Sequence, residues 1–121
     1  MKNQTYRMTM LFDFYGDILT ERQRELFDLY YNEDLSLAEI AENCGISRQG
    51  VRDVIVRAEA AMNELEDKTG LLKRFMRMQD SVDAIVAAAN EIKTINYRQY
   101  ENHRLEELAD RIIAGAGVLK E

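Results

Sequence analysis

The residues best suited to contact another molecule lie together in the stretch SRQGVR, from Ser47 to Arg52. Arginine can bind guanine through two hydrogen bonds, and glutamine can bind adenine in the same way. Arg48, Gln49 and Arg52 are therefore candidates for base recognition, while Ser47 and the more distant Arg57 can hold backbone phosphates. The alternative is that these side chains form only a helix cap and a solvated helix face.

The elements that must position these side chains are two helices joined by a tight turn, within residues 37–56. Ala41 is a small residue where two helices can cross, and Gly45 can take the positive φ that the turn needs. Apolar residues at suitable steps can lock the second helix onto the first: Ile40, Ile46, Val51 and Val54. The segment therefore predicts a helix-turn-helix unit, whose second helix enters the major groove of DNA.

The rest of the chain predicts an all-α fold, because it contains no proline and its apolar residues recur at helical spacing. A first helix is expected to end at a left-handed Gly16. Capping boxes predict two further helix starts, at Thr20 and Ser36. Ser47 caps a fourth helix, which we expect to continue to Thr69. These four helices form the predicted helix-turn-helix domain, residues 1–69.

The C-terminal part, residues 70–121, shows the spacing of a helix that packs lengthwise against another helix. Its first apolar stripe alternates steps of four and three: Leu71, Phe75, Met78, Val82, Ile85, Ala89 and Ile92. A second amphipathic piece carries four more apolar residues: Leu105, Leu108, Ile112 and Ala116. We predict a bend at Thr94-Ile95-Asn96 and a helical tail that makes the protein a symmetric homodimer.

The charge balance opposes DNA binding. The formal net charge of the chain is -6, and the segment from Thr20 to Glu66 alone holds five basic and eleven acidic residues, which equals that whole excess. Acidic side chains repel phosphates, so we expect few phosphate contacts and weak binding near physiological salt. A dimer with its two reading helices one turn of DNA apart would double the contacts.

A second candidate surface has the opposite charge. Between residues 68 and 79 there is no acidic residue and there are four basic ones: Lys68, Lys73, Arg74 and Arg77. Such a patch can meet RNA phosphates or an acidic protein surface. The alternative is that these residues are the solvated face of the tail helix.

No motif for catalysis, metal binding or a cofactor is recognisable. Cys44 is the single cysteine and His103 the single histidine, and there is neither a glycine-rich phosphate loop nor a nucleophile paired with a base. The start, MKNQTYRMTMLFDFYGD, lacks the apolar core of a signal peptide, and no apolar run reaches the length of a membrane span. We expect a cytoplasmic protein without enzymatic activity, cofactor, metal or membrane insertion.

The run LTERQRELFDLYYNEDLSLAEIAENCGISRQGVRDVIVRAE resembles region 4 of bacterial sigma factors, whose helix-turn-helix reads a promoter element. More closely, the segment from Met10 to about Met76 resembles the YlxM family of small bacterial helix-turn-helix proteins. The block FDFYGDILTERQRELFDLYYNEDLSLAEIAENCGISRQGVRD is similar to the block typical of that family. The resemblance implies a dimeric all-α protein, with a trihelical sigma-region-4-like domain, an N-terminal helix and a C-terminal helical tail. At the positions of Ser47, Arg48, Gln49 and Arg52, sigma-like readers contact DNA.

The resemblance also implies a link to the signal recognition particle, because YlxM genes lie beside those of the particle's GTPase and its receptor. Two functions follow. In the first, the protein is a DNA-binding regulatory protein of this protein-targeting pathway. In the second, it is an adaptor that does not bind DNA and contacts the RNA or the GTPase of the particle. The motif favours the first function, whereas the acidic charge and the gene neighbourhood favour the second.

Overall fold

Helices account for all the regular secondary structure of the described residues. The computed structural model describes residues 5–120. Residues 1–4 and Glu121 lie outside the described residues, and so does the beginning of the segment that is predicted not to be a signal peptide. In chain order the elements are α1 (Thr5–Tyr15), a 3-10 turn (Gly16–Ile18), α2 (Glu21–Tyr31), α3 (Leu37–Cys44), α4 (Arg48–Thr69), α5 (Leu71–Ile95), a π-helical turn (Asn96–Tyr100) and α6 (His103–Val118). The predicted all-α fold is confirmed.

The contacts between residues divide the chain into two units, of which the first ends at Leu72 and the second begins at Lys73. The first unit holds α1 to α4, and the second holds most of α5 together with α6. Over residues 5–120, no helix combines the length and the apolar composition that crossing a membrane requires.

Reciprocal side-chain caps start α2 and α3 at the predicted residues. Before α2, Thr20 Oγ1 accepts a hydrogen bond from the Gln23 N–H (3.1 Å), and Gln23 Oε1 accepts one from the Thr20 N–H (3.0 Å). Before α3, Ser36 and Glu39 form the same pair of bonds at 3.1 and 3.2 Å. Each cap satisfies backbone donors that the first turn of a helix leaves unpaired. Both predicted capping boxes are therefore confirmed.

Two glycines end helices in the left-handed conformation. Gly45 follows α3 with φ 69°, and Gly70 follows α4 with φ 63°. The sequence also predicts that α1 ends before Gly16, and this end is confirmed, because α1 stops at Tyr15. The left-handed conformation expected of Gly16 is wrong, because Gly16 does not have a positive φ and opens the 3-10 turn instead. The tighter turn leads the chain to Leu19, whose side chain is buried.

The core of the first unit lies between α4 and the three helices before it. One stripe of α4 is fully buried: Val51, Ile55, Ala58 and Met62. From α2, the ring of Phe27 is fully buried as well and stacks on Phe12 of α1, with 4.7 Å between the ring centroids. Full burial of one large apolar side chain contributes about 1.5–3 kcal/mol. This packing fixes which side of α4 remains in solvent.

A buried carboxylate joins the end of α4 to α1 and to the first turn of α5. Glu66 is only 7% exposed, and its Oε1 accepts hydrogen bonds from the Tyr15 hydroxyl (2.7 Å) and the Leu72 N–H (2.9 Å). The Tyr15 hydroxyl also lies 2.6 Å from Oγ1 of Thr69. Burial raises the pKa of Tyr15 above its ordinary value, so the hydroxyl keeps the proton that it donates. These partners offset the cost of removing a carboxylate from water.

In the second unit, α5 and α6 form an antiparallel hairpin. Lys93 of α5 lies 2.6 Å from Asp110 and 3.3 Å from Glu106 of α6. Asp83, earlier in α5, pairs with Lys120, just after the end of α6. Because an earlier residue of one helix pairs with a later residue of the other, the two helices run in opposite directions. The two carboxylates, Asp110 first, raise the pKa of Lys93 and keep it charged.

The chain reverses later than the sequence predicts. α5 does end at Ile95, inside the predicted bend, but a π-helical turn follows, and the reversal comes at Glu101, which has φ 48°. The buried side chain of Asn96 makes the turn: its Nδ2 donates to the Asn102 carbonyl (2.8 Å), and its Oδ1 accepts from the Asn102 N–H (2.9 Å). The predicted position of the bend is therefore corrected. The chain reverses at Glu101, and the hydrogen bonds between the Asn96 side chain and the Asn102 backbone hold this turn.

The heptad stripe predicted for α5 divides between two faces of the helix. Val82 and Ala89 are buried, as are Ala109 and Ala116 of α6. Other apolar residues of the two helices are 37–46% exposed, and we call them the apolar face of the hairpin: Met78, Ile85, Ile92, Leu105, Leu108 and Ile112. Ion pairs join the two helices along one side, so these exposed residues share the opposite side. The stripe therefore serves two surfaces instead of one.

Candidate nucleic-acid interface

α3 and α4 form the predicted helix-turn-helix. Ala41, the small residue expected at the crossing, is buried, and its carbonyl accepts hydrogen bonds from the N–H groups of Gly45 (2.9 Å) and Ile46 (3.2 Å) in the turn. The apolar residues expected to lock the helices together are all buried or partly buried in the core: Ile40, Ile46, Val51 and Val54. The sequence prediction of this motif is confirmed.

Ser47 fixes the start of the second helix. Its Oγ accepts a hydrogen bond from the Gly50 N–H at 2.9 Å, which confirms the predicted cap. Gly50 suits this position, because a β-carbon there would lie 3.1 Å from the Ser47 Oγ. The hydroxyl proton of Ser47 is not used in the cap, and the residue is exposed. Ser47 can therefore cap α4 and donate to a phosphate at the same time.

The polar residues singled out by the sequence lie on one exposed surface of α4. Arg48, Gln49 and Arg52 are all exposed, whereas Val51 between them is fully buried. At about 100° of rotation per residue, Gln49 and Asp53 each stand roughly 160° away from Val51, in the middle of the solvent side. We call the surface that these residues share the outer face of α4: Ser47, Arg48, Gln49, Arg52 and Asp53.

Asp53 makes two contacts on this surface, of which the sequence suggests only the pairing of Arg52 with a neighbouring acid. Its Oδ1 accepts a hydrogen bond from the Gln49 Nε2 at 3.0 Å and lies 4.0 Å from an Arg52 guanidinium nitrogen. Both charged side chains of the second contact are about half exposed, so this ion pair is weak. The signal that could have identified the first contact is the spacing of four residues between a glutamine and an aspartate on one helix.

Arg57 lies one turn further along α4 and is exposed. It stands at the edge of the solvent side, on the opposite flank from Arg52. Neither Arg48 nor Arg57 forms an ion pair with another of residues 5–120. The structure thus brings three predicted basic residues, Arg48, Arg52 and Arg57, to the solvent side of one helix. Of these, only Arg52 forms an ion pair within residues 5–120.

Comparison with known proteins identifies the family. Residues 2–110 match the sequence model of UPF0122, described as "Putative helix-turn-helix protein, YlxM / p13 like". The chain belongs to the UPF0122 family. Among its relatives, a UPF0122 protein of Thermoanaerobacter sp. (strain X514) is 50% identical over 78 residues, which cover 64% of this chain and 67% of the relative.

Further UPF0122 relatives match over more of the chain. One from Bacillus thuringiensis (strain Al Hakam) is 46% identical over 96 residues, covering 79% of this chain and 87% of the relative. One from Acetivibrio thermocellus is 44% identical over 94 residues and covers 78% of each chain. The predicted resemblance to the YlxM family is confirmed, and the family match includes the outer face of α4 as well as α5.

The UPF0122 helix-turn-helix is set in an acidic surface. Glu42 of α3 is exposed, and Glu39 of the same helix is exposed as well, although its carboxylate also caps the helix. On α2, Glu21 and Glu25 are exposed, and Arg22 lies 4.0 Å from Glu25. The stretch from Glu21 to Glu42, which spans α2, α3 and the connection between them, therefore holds seven acidic and two basic residues, whereas the arginines predicted to meet DNA lie on α4.

All four residues of the second predicted patch are exposed. Lys68, near the end of α4, is paired with Glu64 at 3.0 Å. The other three residues lie in the first turns of α5: Lys73, Arg74 and Arg77. Pairing with Glu64 lowers the charge that Lys68 offers to a polyanion. As a site for RNA or a partner protein, this patch stays a prediction.

Proposed function

We propose that this UPF0122 protein is a DNA-binding regulatory protein that places the outer face of α4 in the major groove. One observation carries the proposal: Arg48, Gln49 and Arg52 share the exposed surface at the N-terminal end of the second helix of a helix-turn-helix. That end of the second helix contacts base edges in DNA-binding proteins of this type. Arginine and glutamine supply the paired donors and acceptors that guanine and adenine recognise.

We propose further that the protein acts as a homodimer through the apolar face of the hairpin. Two-helix hairpins bury little surface, and the buried apolar side chains described in this one are small: Val82, Ala89, Ala109 and Ala116. Residues between the exposed apolar ones on the same side carry no charge: Ser81, Ala88 and Gly115. An uncharged apolar surface is complementary to a second copy of itself, and two hairpins together form a four-helix bundle.

The pathway in which this regulation acts is proposed to be protein targeting by the signal recognition particle. The support is the resemblance to the YlxM family, whose genes lie beside those of the particle's GTPase and receptor. A second candidate function is supported by the charge of the surface. Because α2 and α3 are acidic, they suit an adaptor that contacts a basic component of the particle, and the patch from Lys68 to Arg77 suits its RNA.

Fluorescence anisotropy of a labelled mixed-sequence duplex, measured from low to physiological salt, tests the DNA-binding proposal. The wild-type protein is expected to bind at low salt and to lose affinity steeply as salt rises. The logarithm of the binding constant should fall by about 0.9 per phosphate contact for each tenfold rise in salt concentration. Replacing both Arg48 and Arg52 by alanine should weaken binding at low salt by about ten-fold or more, because two cations leave the outer face of α4.

The matched control replaces Arg98 and Arg111, two exposed arginines of the second unit, by alanine. This control removes the same charge from the chain and should leave duplex binding nearly unchanged. If the wild-type protein does not bind the duplex even at low salt, or if both double variants lose the same affinity, the DNA-binding proposal is wrong. Binding of the particle's RNA or GTPase without duplex binding would instead favour the adaptor.

A further inference from the structure

Asp53 occupies the middle of the outer face of α4, where a carboxylate opposes binding to a polyanion. It is exposed, and it lies between Arg52 and Arg57 around the solvent side of the helix. Its Oδ1 holds the Gln49 amide at 3.0 Å and lies 4.0 Å from the Arg52 guanidinium. A cation-lined surface meant only for phosphates would gain affinity without this residue, since its charge partly cancels that of Arg52.

The contact with Gln49 fixes which way its amide points. An ionised carboxylate can only accept hydrogen bonds, so the atom facing Asp53 Oδ1 must be the Gln49 nitrogen and not its oxygen. Adenine is recognised when a glutamine oxygen accepts from N6 and a glutamine N–H donates to N7. The bond to Asp53 uses one of the two amide hydrogens. The other hydrogen and the carbonyl oxygen of Gln49 stay free for this pair of bonds.

We propose that Asp53 is a positioning residue for base recognition: it orients Gln49 to bind adenine and, by its charge, lowers the affinity of α4 for DNA that lacks the preferred base. The proposal rests on the proposed DNA-binding function. It gives the acidic residue on the outer face a role in specificity, because a weaker attraction to every phosphate raises the share of binding that depends on the correct base.

A purely structural role for Asp53 predicts something different. Glutamine and aspartate four residues apart stabilise a helix by a few tenths of a kcal/mol. In that case, replacing Asp53 would change the stability of α4 slightly and leave base preference unchanged. Base preference is therefore the quantity to measure, together with the affinity for mixed-sequence DNA.

The experiment selects bound duplexes from a randomised library with the full-length protein and sequences them. The variants are Asp53→Asn, Asp53→Glu and Gln49→Ala, with Asp67→Asn as the matched control, which removes the same charge from an exposed position of the same helix. Asparagine can donate as well as accept, so Asp53→Asn no longer dictates the orientation of Gln49. Asp53→Glu keeps a group that only accepts.

The wild-type protein and the Asp53→Glu variant are expected to enrich duplexes with adenine at one position. Asp53→Asn and Gln49→Ala should each lower that preference by about five-fold or more, the lower end of what a paired base contact supplies. In anisotropy with a mixed-sequence duplex at low salt, Asp53→Asn should bind at least about three-fold more tightly than Asp67→Asn, a gain that salt reduces.

Two failures are distinguishable. If the wild-type protein selects a sequence and Asp53→Asn selects the same one with the same strength, the role of Asp53 is wrong while the DNA-binding function stands. If no variant, including Asp53→Asn, binds any duplex at low salt, the proposed function is wrong and the inference falls with it. Loss of preference in Asp67→Asn as well would show an effect of charge alone and would also overturn the role of Asp53.

Discussion

At the scale of single residues, Glu59 of α4 is a carboxylate held where it is poorly solvated. Its Oε1 is inaccessible to solvent and has no hydrogen-bond partner among residues 5–120. Burial raises the pKa of Glu59 above its ordinary value of 4.5, although a hydrogen bond from Tyr31 lowers it in part. Burial and then the Glu59 charge raise the pKa of Tyr31 in return. Ionising Glu59 is therefore less favourable in the folded protein than in the unfolded chain.

Replacing Glu59 by glutamine should stabilise the protein at neutral pH. Because the pKa of Glu59 is higher in the folded state, the unfolded chain ionises at a lower pH than the folded protein does. The free energy of unfolding therefore falls as pH rises from about 4.5 to the folded pKa, and it stays lower above that pH. We expect Glu59→Gln to gain up to about 1 kcal/mol at pH 7, and this gain should vanish near pH 4. Urea unfolding at the two pH values measures it.

The control for this change is Glu42→Gln, the same substitution at an exposed residue of the first unit. It should change the free energy of unfolding by no more than about 0.5 kcal/mol at either pH. Equal effects of Glu59→Gln and Glu42→Gln, or a gain for Glu59→Gln that is as large at pH 4 as at pH 7, would contradict the burial argument.

At the scale of elements, the turn between α3 and α4 depends on one glycine. Gly45 has φ 69° and open space around it, so a side chain there would meet strain in the backbone and not a clash. The turn brings the Ser47 cap and the outer face of α4 into place directly after α3. The position of the outer face of α4 therefore depends on a residue that does not belong to that face.

The Gly45→Ala variant should destabilise the protein by about 1 kcal/mol or more, because a left-handed backbone is unfavourable for alanine. Thermal unfolding followed by circular dichroism should show this as a lower Tm, by about 4 °C or more. Gly117→Ala is the control, since Gly117 lies inside α6 with open space and without a positive φ, and it is not part of the apolar face of the hairpin. That change should leave the Tm equal or higher. A Tm for Gly45→Ala at or above that of the wild type would be inconsistent with the strain.

The apolar stripe of α5, which the sequence assigns to a single surface, divides between two surfaces in the structure. Steps of four and three place Val82 and Ile85 close together on the wheel of α5, and sequence alone gives no reason to separate them. In the structure, Val82 is almost completely buried, whereas Ile85 is 46% exposed. The dividing line follows from the direction of α6, which the turn at Asn96 determines.

At the scale of the whole molecule, charged and apolar surfaces lie on different parts of the chain. From Glu21 to Glu42, seven residues are acidic and two are basic, whereas the outer face of α4 carries two arginines and one aspartate and the apolar face of the hairpin is uncharged. The net charge of -6 opposes binding to a polyanion, so we expect a monomer to bind mixed-sequence DNA weakly near physiological salt. Two reading helices in a dimer would raise the number of phosphate contacts without changing the charge of either outer face.

Placing a charge in the apolar face should therefore separate the proposed dimer. We expect Ile85→Glu to halve the mass measured by size-exclusion chromatography with light scattering, because a carboxylate buried between two hairpins would lack a partner. Duplex binding should fall as well. Ala87→Glu adds the same charge to an exposed position of α5 outside that face, and it should leave the mass unchanged.

The dimer proposal fails if the wild-type protein elutes as a monomer at micromolar concentration. It also fails if Ile85→Glu keeps the wild-type mass. A mass that falls equally in Ile85→Glu and Ala87→Glu would point to a loss of the α5 fold and not to this surface. Circular dichroism of both variants detects such a loss directly.

Local rules in the sequence determined most of the first unit. Capping at Thr20, Ser36 and Ser47, the left-handed Gly45 and the helical spacing of apolar residues each depend on neighbours within a few positions of the chain. For that reason the helix starts, the helix-turn-helix and the exposed polar stretch after Ser47 could all be predicted. Family membership follows from the same run of residues, which the UPF0122 match covers.

Tertiary structure alone decided the features that join residues far apart in the chain or that depend on the direction of a side chain. The bond from Tyr15 to Glu66 spans most of the first unit, and the turn at Asn96 is made by a side chain reaching Asn102. The hydrogen bond between Gln49 and Asp53 is close in sequence, but it requires both side chains to turn toward each other. Spacing limits which residues can meet, whereas packing around them determines which do, because burial and side-chain orientation are set by the complete fold.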